Sequence, residues 1–190
     1  NLEEYQATIK KIKHHVERAA TITHRLLGFA RKINAEQEQV QINEVVEETL
    51  SFLEKEAKHN NIAVNLKLDP QLPTTMTEGH RLQQILLNLI DNALDAVGHD
   101  GQVEIITSHK GQDISVQVVD NGPGIPPEIM KRMWDPFFTT KEQGKGTGLG
   151  LAISQNIIRT LGGSLNVESE VGRGTAFTVT IPIKNMQENS

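Results

Sequence analysis

The chain has 190 residues, 24 acidic and 19 basic side chains and a formal net charge of −5, a balance that argues against a general nucleic-acid surface. It has no cysteine, which excludes disulfides and thiolate metal sites and fits a reducing compartment. No apolar run approaches the roughly 18 residues of a membrane span, no secretory signal is visible and the first residue is Asn rather than Met, so the expectation is a cytoplasmic piece of a longer protein without membrane contact of its own.

Residues 1–33 read as one long helix. Leu2, Tyr5, Ile9, Ile12, Val16, Ala19, Thr23, Leu26, Ala30 and Ile33 recur at alternating steps of three and four, a heptad seam sustained over four heptads. Ile22, Leu27 and Phe29 widen the stripe toward that of a bundle. Such a helix needs a partner helix, from another chain or from outside this sequence; the competing reading is a single helix folded back on the globular part. His14, His15 and His24 fall at outward heptad positions and read as solvated. After a polar break at 34–39, Val40-Gln41-Ile42 reads as a short strand. Asn43 then N-caps a helix carrying Val45, Val46, Thr49, Leu50, Phe52, Leu53 and Ala57. Asn60-Asn61 ends it, and Ile62 to Leu68 alternates as a strand that Asp69-Pro70 stops.

Gly79 to Gly98 reads as a helix with Leu82, Ile85, Leu86, Leu89, Ala93, Ala96 and Val97 on its apolar face. A polar stripe of Gln84, Asn88, Asn92 and Asp95 runs along it. Asn is a poor helix former because its amide competes for backbone hydrogen bonds. Its carboxamide oxygen suits Mg²⁺, although a solvated face gives the same pattern. Two strands follow, Val103 to Thr107 and Ile114 to Val119, joined by a turn at Lys110-Gly111. Asp120 has the parity of Ile114, Val116 and Val118, so a continuing strand aims its carboxylate at the core. Asp-Asn-Gly is also ordinary turn chemistry.

Asp120-Asn121-Gly122-Pro123-Gly124 and Gly144 to Leu151 bracket a segment with Pro126, Pro127, Pro136 and Phe137-Phe138, which reads as a lid between two glycine turns. Thr147 is the expected N-cap of a helix with Leu149, Ala152, Ile153, Ile157 and Leu161, stopped by Gly162-Gly163. A glycine turn entering a helix N-terminus suits phosphate. The spacing is neither that of a Walker A loop nor Gly-x-Gly-x-x-Gly. Leu165 to Ser169, a turn at Gly172-Arg173-Gly174, and Ala176 to Ile183 complete the chain as two strands, with a tail at 186–190. The order after the first helix, β-α-β-α-β-β-lid-α-β-β, predicts an α+β sandwich of one mixed sheet and one helix layer.

Together these stretches resemble the ATP-binding domain of bacterial sensor histidine kinases. That domain has the Bergerat fold, shared with gyrase, a heat-shock chaperone and mismatch-repair ATPases. Asn88-Leu89-Ile90-Asp91-Asn92-Ala93 matches the N box, Asp120 to Gly124 the first glycine box and Asp135-Pro136-Phe137-Phe138 the F box. Gly146 to Leu151 matches the second glycine box and Gly172-Arg173-Gly174-Thr175 the last glycine motif. The string Asp135-Pro136-Phe137-Phe138-Thr139-Thr140-Lys141 resembles nitrogen-regulator-type kinases most. The resemblance implies residues 1–35 as the second helix of a dimerisation and phosphotransfer hairpin, 36–185 as the ATP-binding domain and 186–190 as the tail.

The resemblance also implies roles. Asp120 would accept from the adenine amine, and Asn92 would hold Mg²⁺ with Asn88 beside it. Asp95, Gly122, Gly124, Ile125, Gly146, Thr147, Gly148, Leu149, Gly150, Leu151 and Thr175 would complete the ATP site. Charge and position make Lys141 or Lys145 the residue reaching the γ-phosphate. The implied partners are a second copy, through the N-terminal helix, and a response-regulator receiver domain, with no nucleic acid. Two departures carry expectations. No histidine here is followed by an acidic residue on a helix, so the phosphoacceptor is expected outside this sequence, without self-phosphorylation. Asn88 stands where the ATPase branch has a Glu base, so slow hydrolysis is expected. Other readings are an ATPase or anti-sigma serine kinase of the same fold, or a nucleotide-gated dimerisation module.

Overall fold

The structure is a computed structural model and describes residues 37–141 and 146–185. The heptad helix, Lys145 and the C-terminal tail lie outside the described residues. The elements are β1 (Glu38–Val40), α1 (Ile42–His59), β2 (Ala63–Lys67), β3 (Thr75–Thr77), α2 (Gly79–Val97), β4 (Gln102–Lys110), β5 (Asp113–Asp120), α3 (Pro127–Met130), α4 (Gly150–Thr160), β6 (Ser164–Glu170) and β7 (Gly174–Pro182).

Five strands form a mixed sheet in the order β2-β4-β5-β7-β6. β4–β5 and β6–β7 are antiparallel hairpins, β5 and β7 join them antiparallel, and β2 runs parallel to β4. The parallel pair needs a crossover, and α2 supplies it. Helices pack on one face, with α2 between α1 and α4 and over the central strands. The core lies between the layers. Leu82, Ile85, Leu86, Leu89 and Ile90 of α2 meet Val103 and Ile105 of β4, Ile114, Val116 and Val118 of β5, and Val179 and Ile181 of β7. The expected two-layer α+β sandwich is present.

Three local readings need correction. Ile42 is not strand; it opens α1 and is fully buried. The cap of α1 is Gln41, whose side chain accepts from the Asn43 N–H at 3.4 Å. Asn43 instead accepts from Thr107 Oγ1 at 2.8 Å and donates to the Asp69 carbonyl at 2.9 Å, tying α1 to β4. The hairpin turn after β4 falls at Gly111-Gln112, because Lys110 still pairs with Asp113. The sequence reading also lacked β3. This strand pairs with β1 rather than with the main sheet, and three residues are too few to show a period of two.

Candidate functional site

Site residues meet along one face of α2. Ala96, Asn92 and Asn88 stand four residues apart, one above another, over about 12 Å at 1.5 Å per residue. Each level touches a different part of the chain.

At the lowest level is the first glycine turn. A Cβ on Gly122 would lie 3.1 Å from the Ala96 carbonyl, so a side chain there would push the turn off the helix. Asp120, which closes β5, is only 5% exposed, as its parity predicts. Burial raises its pKa, opposed by hydrogen bonds to its carboxylate from the Gly122 and Thr175 N–H groups. The Gly122 bond is 2.9 Å. Thr175 faces Asp120 directly in the β5–β7 register and is equally buried. Two hydrogen bonds pin the turn to the β6–β7 hairpin: Gly172 N–H donates to the Pro123 carbonyl at 2.8 Å, and Ile125 N–H to Ser169 Oγ at 2.8 Å. At Gly174 the φ is +116°, and a Cβ would fall 1.9 Å from the Asp120 carbonyl oxygen. Only glycine permits that approach.

At the middle level is an ion pair. Lys141 Nζ donates to Asn92 Oδ1 at 3.1 Å and forms an ion pair with Asp95 Oδ2. An ammonium thus sits between a carboxamide oxygen and a carboxylate oxygen, both hard donors. Among the described residues, no cluster of three or more His, Cys, Asp or Glu could hold a metal. Any cation here would therefore be held by a sparse set of protein oxygens.

At the highest level is the second glycine turn. Asn88 donates to Ser154 Oγ of α4 at 3.1 Å, and a Cβ on Gly150 would fall 2.0 Å from Asn88 Oδ1. α4 starts at Gly150, not at Thr147. Its cap residue Leu149 makes no side-chain cap, and Thr147 is exposed, with Oγ1 accepting from the Leu149 N–H at 3.4 Å. The first N–H groups of an α-helix have no acceptor within the helix, so those of α4 open beside Asn88. Gly146 packs near Thr139 and Lys141, and Leu151 lies half-buried against the core. The lid's two flanks join at its base, where Phe137 N–H donates to the Gly148 carbonyl at 2.9 Å.

The structure brings the sequence-predicted residues together in two groups. Asp120, Gly122, Gly124, Ile125 and Thr175 gather at the base of the face. Asn88, Asn92, Asp95, Lys141, Gly146 and Gly150 gather above it, while Gly148 meets Phe137 and Leu151 packs against the core. Thr147 is exposed, and Lys145 is outside the described residues. Sequence reasoning missed Ser154, the partner of Asn88, and Ser169, the partner of Ile125. Each is a small polar residue on the core-facing side of its element, which was the available signal.

A sequence profile of the histidine kinase-, DNA gyrase B- and HSP90-like ATPases matches residues 77–185. Among curated proteins, the chain is 31% identical over 167 residues to the sensor histidine kinase ZraS of Escherichia coli, covering 88% of this chain and 36% of that one. It is 35% identical over 186 residues to the histidine-protein kinase AtoS of the same organism, covering 97% and 30%. The chain thus spans about a third of the length of these relatives. Among solved structures, the catalytic domain of histidine kinase ThkA aligns with a TM-score of 0.72 and 32% identity, over 78% of this chain and 97% of that one. ThkA in complex with the response regulator TrrA aligns at 0.73 and 28%, over 91% and 49%.

Proposed function

Because the chain belongs to the histidine kinase-, DNA gyrase B- and HSP90-like ATPase family, we propose that it is the catalytic part of a sensor histidine kinase. It binds ATP with Mg²⁺ and passes the γ-phosphoryl group to a histidine on a dimerisation helix outside this sequence, for relay to a receiver-domain aspartate. The relatives' names support the activity, and the ThkA–TrrA complex supports the kind of partner.

One observation carries the reading. A single helix face holds a buried carboxylate turn at one end and a glycine-framed helix N-terminus about 12 Å away, on the order of an extended nucleoside triphosphate. In this reading Asp120 accepts from the adenine amine, with Gly122, Gly124, Ile125 and Thr175 walling the base. Gly146, Thr147, Gly148, Leu149, Gly150 and Leu151 offer backbone N–H groups to the phosphates. Asn92 holds the metal, with Asn88 and Asp95 beside it. The Lys141 ammonium already bound to Asn92 and Asp95 indicates that this donor pair fits a hard cation. Mg²⁺ would neutralise charge on the phosphates. Lys141, released from Asp95, is the cation placed to reach the γ-phosphate. Asn88 bonds Ser154 and is no base for water, so hydrolysis is slow.

Residues 36–185 are then the ATP-binding domain and 1–35 the second helix of a hairpin that dimerises as a four-helix bundle. No helix among the described residues is long and apolar enough to cross a membrane. The site chemistry belongs with a cytoplasmic ATP pool.

Calorimetric titration with a non-hydrolysable ATP analogue, with and without Mg²⁺, tests the pocket. Micromolar binding that Asp120→Asn abolishes supports it, and no binding to the wild type overturns it. Mixing the chain with a hairpin that carries an acceptor histidine tests the activity. A kinase labels that histidine from γ-labelled ATP; a nucleotide-gated module does not.

A further inference from the structure

The core face of the sheet ends in one polar row. Val118, Phe177 and Val167 stand side by side on β5, β7 and β6; two residues further along, the same strands place Asp120, Thr175 and Ser169 side by side. Asp120 and Thr175 already have roles in the ATP-site reading, on which this inference rests. Ser169 has none, yet it has the most contacts of the three. Its Oγ lies 2.8 Å from the Ile125 N–H, 2.9 Å from the Gly174 carbonyl and 3.0 Å from Thr175 Oγ1.

A serine hydroxyl has one proton and two lone pairs. The Ile125 N–H is a donor and takes one lone pair. The Gly174 carbonyl is an acceptor and takes the proton. The third contact is then a hydrogen bond only if Thr175 donates its hydroxyl proton to the remaining lone pair. All three contacts are satisfied in this one arrangement, and a half-buried polar cluster favours full satisfaction. The Thr175 proton is thereby turned toward β6, away from Asp120.

We propose that Ser169 is a positioning residue that fixes the Thr175 hydroxyl as an acceptor, so that the row presents only acceptors to the bound base. A base edge carrying an amino group fits such a row. An edge carrying a carbonyl oxygen in the same place meets lone pairs with lone pairs. Without Ser169, the Thr175 hydroxyl turns and donates to that oxygen.

The test compares ATP with inosine triphosphate, which replaces the amino group by a carbonyl oxygen and the N1 acceptor by an N1–H donor, in binding to the whole chain. In Ser169→Ala, ATP is expected to bind roughly three- to tenfold more weakly, as for one lost hydrogen bond. Inosine triphosphate is expected to hold or gain, so the preference narrows. Ser169→Thr keeps the hydroxyl and is expected to restore the preference. Equal weakening of both nucleotides in Ser169→Ala means that Ser169 only supports the hairpin and overturns the proposal. So does an unchanged preference with unchanged affinities. Wild-type chain that binds neither nucleotide overturns the ATP-site reading, and this inference with it. Wild type that prefers ATP while Ser169→Ala behaves identically overturns this inference alone.

Discussion

Asp120 lowers the stability of the fold once it is ionised. Burial raises its pKa despite two backbone N–H donors, so the folded chain holds this proton more tightly than the unfolded chain. By linkage, stability falls as pH rises from the ordinary aspartate range through the raised folded value, and the penalty stays constant above it. We expect Asp120→Asn to flatten this part of the pH–stability profile, measured by urea unfolding across the acid range, while nucleotide binding is lost. An unchanged profile would mean that the carboxylate is solvated. The parity of Asp120 was legible because β5 alternates strictly, buried at every second residue. The Lys141–Asp95 pair was not, since 46 residues separate the partners and no local pattern reports a contact across the lid.

Lys141 yields a second expectation at this scale. In the proposed metal site, the ammonium held by Asn92 and Asp95 would compete with a divalent cation for them. Lys141→Met is expected to tighten nucleotide-free Mn²⁺ binding by roughly two- to fivefold, the worth of a half-exposed ion pair. The electron spin resonance signal of free Mn²⁺ reads this directly. Unchanged affinity would show that the two cations do not share the site.

Among the elements, the glycine turns matter more than the helices they introduce. Gly148 has φ +65°, and a Cβ there would lie 2.3 Å from the Phe137 carbonyl carbon. Gly148→Ala is expected to cost roughly 1–3 kcal/mol in chemical denaturation and to weaken nucleotide binding. Gly150→Ala meets the Asn88 side chain instead, at 2.0 Å from Oδ1. It is expected to spread α4 from α2 with a smaller loss, because a carboxamide can swing aside. Equal losses in the two variants would contradict this difference. The sequence made the glycines visible as a motif but gave the wrong start to α4, because Thr147 is a better cap by type than Leu149. The Phe137–Gly148 bond and the packing of Gly150 on Asn88 set the turn, and they override the capping preference. Phe137 itself carries φ +68° and is 74% exposed. Nothing in its local sequence marks it, because the constraint comes from its bond to the Gly148 carbonyl.

For the whole molecule, the sheet order was legible only in part. Two hairpins and the helices between strands could be read from turn residues and periods, but not the parallel β2–β4 pairing or the meeting of β5 and β7 at the centre. The β5–β7 pairing joins residues about 60 apart, and it creates the site by setting Asp120 against Thr175. The ends of the sheet order have their own consequence. Among the described residues, β2 and β6 each pair on one side only. Their free edges would recruit strands from neighbouring molecules at high concentration. β2 is five residues long and carries Lys67, paired with Glu104 at 2.7 Å; β6 carries Glu168 and Glu170. One rim thus carries a cation and the other anions, charges that oppose edge-to-edge pairing. Light scattering of a Lys67→Val, Glu168→Val double variant is expected to show concentration-dependent association with nucleotide affinity unchanged. A double variant as monodisperse as the parent would place that protection elsewhere on the surface.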